Sequence, residues 1–110
     1  MSDVMKEIND FREERDWRKF HKPKDLALSV SIEAAELLEN FQWKTSEEAI
    51  QANMGNIRDE IADVLIYSYM LAADLNLNIE ELILAKLEKN KAKYPIEKSK
   101  VSRQKYTELN

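Results

Sequence analysis

The chain has 110 residues, 35% of them charged, and a net charge of −4. A single domain with a modest core is expected at this length, and the acidic balance argues against a nucleic-acid partner, whose phosphates demand a basic surface. With no cysteine in the chain, disulfides, thiolate metal sites and cysteine nucleophiles are excluded.

One glycine and two prolines leave little punctuation for turns, so a few long helices are expected and no strands. The first helix is expected over residues 3–17, with an apolar edge from Ile8 and Phe11. Phe20-His21-Lys22-Pro23 then breaks the pattern, because the residue before proline avoids helical geometry. Asp25 is a candidate cap for a second helix over 26–40. Thr45 followed by Glu48 is a capping-box pattern; it predicts a third helical stretch reaching about Leu75, with a break near Gly55. Asn78 followed by Glu81 caps a last helix, which Pro95 stops after Tyr94. This predicts an all-α domain over 1–95 and a C-terminal tail over 96–110 that is either disordered or packed across another subunit through Tyr106 and Leu109. No apolar run approaches the roughly 18 residues of a membrane span, and the charged start, residues 1–10, lacks the apolar core of a secretory signal. A cytoplasmic protein with no membrane partner is expected.

Two helices carry acids where apolar residues belong. On the second, Leu26, Val30, Ala34, Leu37 and Phe41 form a stripe at helical period, and Glu33 falls inside it with Glu36 at its edge. On the third, residues 61–73 read IADVLIYSYMLAA, and Asp63 is the only charge. Such a helix is apolar nearly all round and is expected to be buried nearly all round, which favours a homo-oligomer that covers the surplus. Glu60 lies one turn before Asp63, so both helices carry an acid pair at i, i+3. If the helices pack antiparallel, the pairs face each other. Four carboxylates form a hard-oxygen site suited to Mg²⁺ or Mn²⁺. Taken singly, helical glutamates are usually solvated or paired with lysines; Asp63 in its apolar run and the repeated spacing argue otherwise. A di-iron bundle requires Glu-x-x-His motifs, and the lone histidine, His21, has no glutamate three residues before it. A P-loop is excluded for want of glycine.

Glu33-Ala-Ala-Glu36 followed by Glu60-Ile-Ala-Asp63 resembles the paired signature of the MazG-like all-α nucleoside triphosphate pyrophosphohydrolases. RDWRKFHKPKDLALSVSIEAAELLENFQWK at residues 15–44, DVLIY at 63–67, KLEKNKAKYP at 86–95 and KYTEL at 105–109 are similar to the dCTP pyrophosphatase branch. The resemblance implies a four-helix-bundle-type subunit assembled as a dimer or tetramer, cleaving a nucleoside triphosphate, dCTP or a 5-modified dCTP, to the monophosphate and pyrophosphate in nucleotide-pool sanitation. It implies Glu33, Glu36, Glu60 and Asp63 as catalytic acids and Mg²⁺ ligands. It further implies Trp17, His21 and Trp43 as the base pocket, and Tyr67, Lys86, Asn90, Lys93 and Tyr94 as further substrate contacts. Lys93 departs from the arginine common in the branch and lacks its bidentate fork, and the connection from Trp43 to Glu60 is shorter than in animal members.

The residues alone are compatible with this and with plainer roles. Aromatic rings stack any base, yet tryptophans also anchor cores. Lys86, Asn90 and Lys93 share one helix face that suits phosphates or simply water. A non-catalytic helical interaction module, and the same fold acting on another nucleotide such as dUTP, are the alternatives.

Overall fold

A computed structural model describes residues 2–96. Among them are four helices, α1 (Ser2–Glu14), α2 (Pro23–Glu39), α3 (Ser46–Asp74) and α4 (Ile79–Lys93), with a 3-10 turn, Arg18–Phe20, between α1 and α2. The expected all-α class is met. No helix of the described residues is long and apolar enough to cross a membrane. The expected tail over 96–110, with Tyr106 and Leu109, lies outside the described residues apart from Ile96.

The chain divides into two compact units, the first running to Asn76 and the second beginning at Leu77. In the first, α2 and α3 form the main helix pair and α1 packs on α3. The pair is antiparallel: Asn40 meets Asn53, Glu36 meets Glu60, and His21, just before α2, meets Tyr67. Leu26, Ala49, Ile57, Met70 and Ala72 are its buried apolar residues.

Local chemistry explains most helix ends. Thr45 Oγ1 accepts from the Glu48 amide at 3.1 Å while Glu48 Oε1 accepts from the Thr45 amide at 2.7 Å, the reciprocal box expected. Asn78 Oδ1 accepts from the Glu81 amide at 2.9 Å, and α4 ends at Lys93, just before Tyr94 and Pro95.

Several details differ from the expectations. Helix α1 stops at Glu14 instead of Trp17, because Asp16 turns into the left-handed region (φ 53°). Its inner stripe is Met5, Ile8, Asn9 and Arg12, and Phe11 is left on the outer edge, 40% exposed. Helix α2 begins two residues before Asp25, at Pro23, where a missing amide costs nothing; Asp25 accepts from the Lys22 amide at 3.0 Å from inside the first turn. Ala34 lies off the inner face of α2, which runs through Leu26, Val30, Glu33 and Leu37; Phe41 falls in the turn after the helix. The break expected near Gly55 is met in α3 at Asn53 (φ −123°, ψ 19°), two residues before it. The run 61–73 is buried on one side only in this chain, since Ile61 and Leu65 stay about half exposed. In the second unit α4 has no buried residue, and Leu82, Ile83, Leu84 and Leu87 are exposed.

Candidate active site

The register of α2 on α3 brings Glu33, Glu36 and Glu60 together. One carboxylate oxygen from each lies within 4.8 Å of the others, and all three side chains are half-buried. Glu33 Oε2 and Glu60 Oε2 are enclosed and have no hydrogen-bond partner. The ion pairs among the described residues engage other acids: Asp10, Glu13, Asp16, Asp74 and Glu88. The lysine-paired alternative for the cluster is therefore not what the fold adopts.

Crowding of like charge shows in the proton affinities. Glu33 is pushed from 4.5 to about 7, first by hydrogen bonding with Glu36, then by burial, then by the charges of Glu36 and Glu60. Glu60 is also raised, by burial first and the Glu36 charge next. Asp63 stands one turn beyond Glu60 and lies outside the three-oxygen group, although its charge acts on Glu60 and on Tyr67. Burial, then the charges of Glu33, Asp63 and Glu36, lift the Tyr67 phenol above its usual range.

Tyr67 is also the inner end of an aromatic file. Its ring meets His21 edge-on with centroids 6.5 Å apart; His21 meets Trp17 at 6.2 Å; Trp17 meets Phe11 at 5.3 Å. These T-shaped contacts are the favoured geometry for aromatic pairs. Trp17 and His21 are thus brought together, but across a turn and not along a helix. His21 Nδ1 is enclosed without a partner.

Trp43 is elsewhere. It occupies the connection after α2, is 93% exposed and adopts a left-handed backbone (φ 62°), which is unusual for a bulky side chain. Trp17 and His21 precede α2, so the whole helix, about 25 Å at 1.5 Å per residue, separates them from Trp43 in one chain. Lys86, Asn90 and Lys93 share a side of α4 at i, i+4, i+7, and the Tyr94 amide donates to the Asn90 carbonyl at 2.8 Å; these four belong to the second unit.

Beside the acids an open cavity of about 460 Å³ is lined by Glu36, Glu39, Asn40, Asn53, Asn56 and Glu60. The asparagines were missed in the sequence, although Asn53, Asn56 and Glu60 share a face at i, i+3, i+7 and so carried a readable signal. Asn53 Nδ2 donates to the Asn40 carbonyl at 2.8 Å and ties the kink in α3 to the end of α2.

The donor set fits a divalent cation. Ligand oxygens around an octahedral Mg²⁺ are at most about 4.2 Å apart, so a small contraction of the cluster suffices, and the two unpartnered oxygens are the hard donors such an ion requires.

The MazG-like family profile matches residues 28–109. The chain belongs to the MazG-like family. It is 37% identical to dCTP pyrophosphatase 1 of Bos taurus, a match covering 99% of this chain and 68% of that protein. It is 36% identical to dCTP pyrophosphatase 1 of Homo sapiens, covering 99% and 67%. Among solved structures, a pyrophosphatase from Archaeoglobus fulgidus matches with a TM-score of 0.81 at 44% identity, covering 86% of this chain and 92% of that one. The expectation of a nucleotide pyrophosphohydrolase is thereby met, and membership in the MazG-like family gives the acid cluster a chemical context.

Proposed function

We propose that this MazG-like enzyme hydrolyses dCTP or a 5-modified dCTP to the nucleoside monophosphate and pyrophosphate. The observation that carries this reading is the continuity of the site: the file Trp17, His21, Tyr67 ends on Tyr67, which lies within the field of the carboxylates Glu33, Asp63 and Glu36. Aromatic rings suited to a base therefore adjoin hard oxygens suited to a metal–phosphate complex.

Glu33, Glu36, Glu60 and Asp63 would hold Mg²⁺, or Mn²⁺. When bound, the ion neutralises phosphate charge and acidifies water. Glu36 and Glu60 both border the cluster and the open cavity; of the two, Glu36 is assigned to accept a proton from the attacking water. Tyr67 orients the substrate between base and phosphates. Trp17 and His21 hold the base, with His21 Nδ1 offering an unused polar atom to its edge. In the second unit, Lys86, Asn90, Lys93 and Tyr94 stay assigned, by resemblance alone, as further substrate contacts.

The functional unit is a homo-oligomer, a dimer or tetramer. Ile61 and Leu65 on α3, and Leu28 and Ile32 on α2, are about half exposed, an apolar surface that a second copy would cover. Trp43, a helix length from His21, joins a base pocket only from that second copy. A cytoplasmic location suits an enzyme of the nucleotide pool.

Pyrophosphate release across a panel of dCTP, 5-methyl-dCTP, dUTP, dTTP, dATP and dGTP tests the reading. A clear dCTP preference is expected. Preference for dUTP transfers the site to another substrate, and no release from any member refutes the proposal.

A further inference from the structure

Among the described residues, Arg12 is the buried charge. Arg12 lies at the fourth position of the inner stripe of α1, where an apolar residue is usual, and is completely buried. Its guanidinium makes a bidentate pair with Asp74 at the end of α3, at 2.9 and 3.0 Å. Arg18, in the 3-10 turn, donates to the same Asp74 Oδ1 and, at 2.7 Å, to Glu13. The two arginines hold the Asp74 carboxyl below its usual range, the Arg12 hydrogen bond foremost.

The backbone of these same two arginines carries the aromatic file. The Trp17 amide donates to the Arg12 carbonyl at 3.0 Å, and the His21 amide donates to the Arg18 carbonyl at 3.2 Å. Each arginine is thus bound to Asp74 by its side chain and to one of the two base-facing aromatics by its main chain. The turn's residues 18–20 are all exposed, the Phe20 amide donates within the turn to the Trp17 carbonyl at 2.9 Å, and Lys19 pairs with the exposed Asp16, itself in a left-handed conformation, so Arg18 is its tie to α1 and α3.

We propose that Asp74 is a positioning residue for the base pocket, a two-armed clamp whose Arg12 arm fixes the end of α1 and Trp17, and whose Arg18 arm fixes the turn and His21. The clamp lies about two turns of α3 beyond Tyr67, so it acts on the base end of the site and not on the acids. It rests on the assignment of Trp17 and His21 to the base.

The test compares Asp74→Asn, Arg18→Gln and His21→Ala with the unaltered enzyme, measuring kcat and KM for dCTP, the Mg²⁺ concentration at half-activation, and Trp17 emission with Trp43→Phe as the spectroscopic background. Asp74→Asn is expected to raise KM about tenfold with kcat within about twofold, the signature of lost ground-state positioning, to leave the Mg²⁺ midpoint in place, and to shift Trp17 emission to the red. Arg18→Gln, which keeps the buried Arg12–Asp74 pair and so the attachment of α1, is expected to raise KM in the same sense and decides the matter if Asp74→Asn does not fold. Unchanged KM in the clamp variants alongside a raised KM in His21→Ala overturns the clamp while the pocket stands. A joint shift of kcat and the Mg²⁺ midpoint reduces Asp74 to general structural support and also overturns it. Unchanged KM in His21→Ala removes the pocket, and the clamp with it.

Discussion

Glu33 and Glu60, from adjoining helices, each bring a carboxylate oxygen into one cluster, and each has an enclosed Oε2 without a donor. Two carboxylates so placed repel each other and are partly stripped of water, so the folded chain is destabilised locally until a cation or a proton arrives. Glu33→Gln is therefore expected to raise the melting temperature of the metal-free protein while abolishing pyrophosphate release. Scanning calorimetry with and without Mg²⁺ checks this: the unaltered protein gains stability with the ion, as any ligand of the folded state requires, and the variant gains much less. An equal gain in both would remove Glu33 from the metal site.

The same crowding sets a pH dependence. Glu33 binds its proton more tightly folded, at about 7, than at its ordinary 4.5. Between those values the folded state holds a proton that the unfolded chain has released, so stability falls as pH rises through that window. Asp74 has the opposite sense: its carboxyl is lowered, so its contribution is present above the ordinary aspartate range and is lost as pH falls through the folded value. The metal-free protein is expected to be more stable at about pH 5.5 than at about pH 8, with a decline again in stronger acid. Saturating Mg²⁺ should flatten the upper limb. Urea titrations at these pH values are the measurement, and an upper limb that persists in Glu33→Gln would place its origin elsewhere.

Asn53 ties the kink of α3 to the Asn40 carbonyl, and both residues line the cavity beside the acids. Asn53→Asp keeps the shape, loses the donor and sets a carboxylate against a carbonyl. A loss of about 1 kcal/mol of stability is expected from the broken bond, together with a higher Mg²⁺ requirement, because the register of Glu36 against Glu60 loosens. Denaturant unfolding and Mg²⁺ activation curves read the two effects; a stability loss with an unmoved Mg²⁺ midpoint would confine Asn53 to the hairpin.

The separation of Trp43 from His21 by the length of α2 makes a prediction about assembly. Light scattering should find at least a dimer. His21→Ala and Trp43→Ala subunits, each impaired alone, should regain activity when dissociated and reassembled together, since one site of each mixed dimer then has both native residues. An equal mixture should reach about a quarter of the unaltered activity, half the dimers being mixed and half their sites intact. No recovery would mean that both residues serve the base from one chain, or that Trp43 serves no base.

What the sequence determined by itself is what local chemistry determines. The Thr45 and Asn78 caps, the stop at Pro95 and the helical class follow from contacts within one turn of the chain, and the misplacement of Glu33 and Asp63 is a matter of period along a single helix. These were legible without a partner element. The tertiary structure decided what depends on the register of one helix against another. It brought Glu33 and Glu36 to Glu60, left Asp63 one turn aside, and exposed part of a run whose composition suggested full burial. It fixed the break expected near Gly55 at Asn53, whose side chain donates to the Asn40 carbonyl 13 residues back. Arg12 and Asp74 are 62 residues apart, and no periodicity couples them; only the packing of α1 on α3 makes a buried arginine tolerable, by supplying the carboxylate that a buried charge demands.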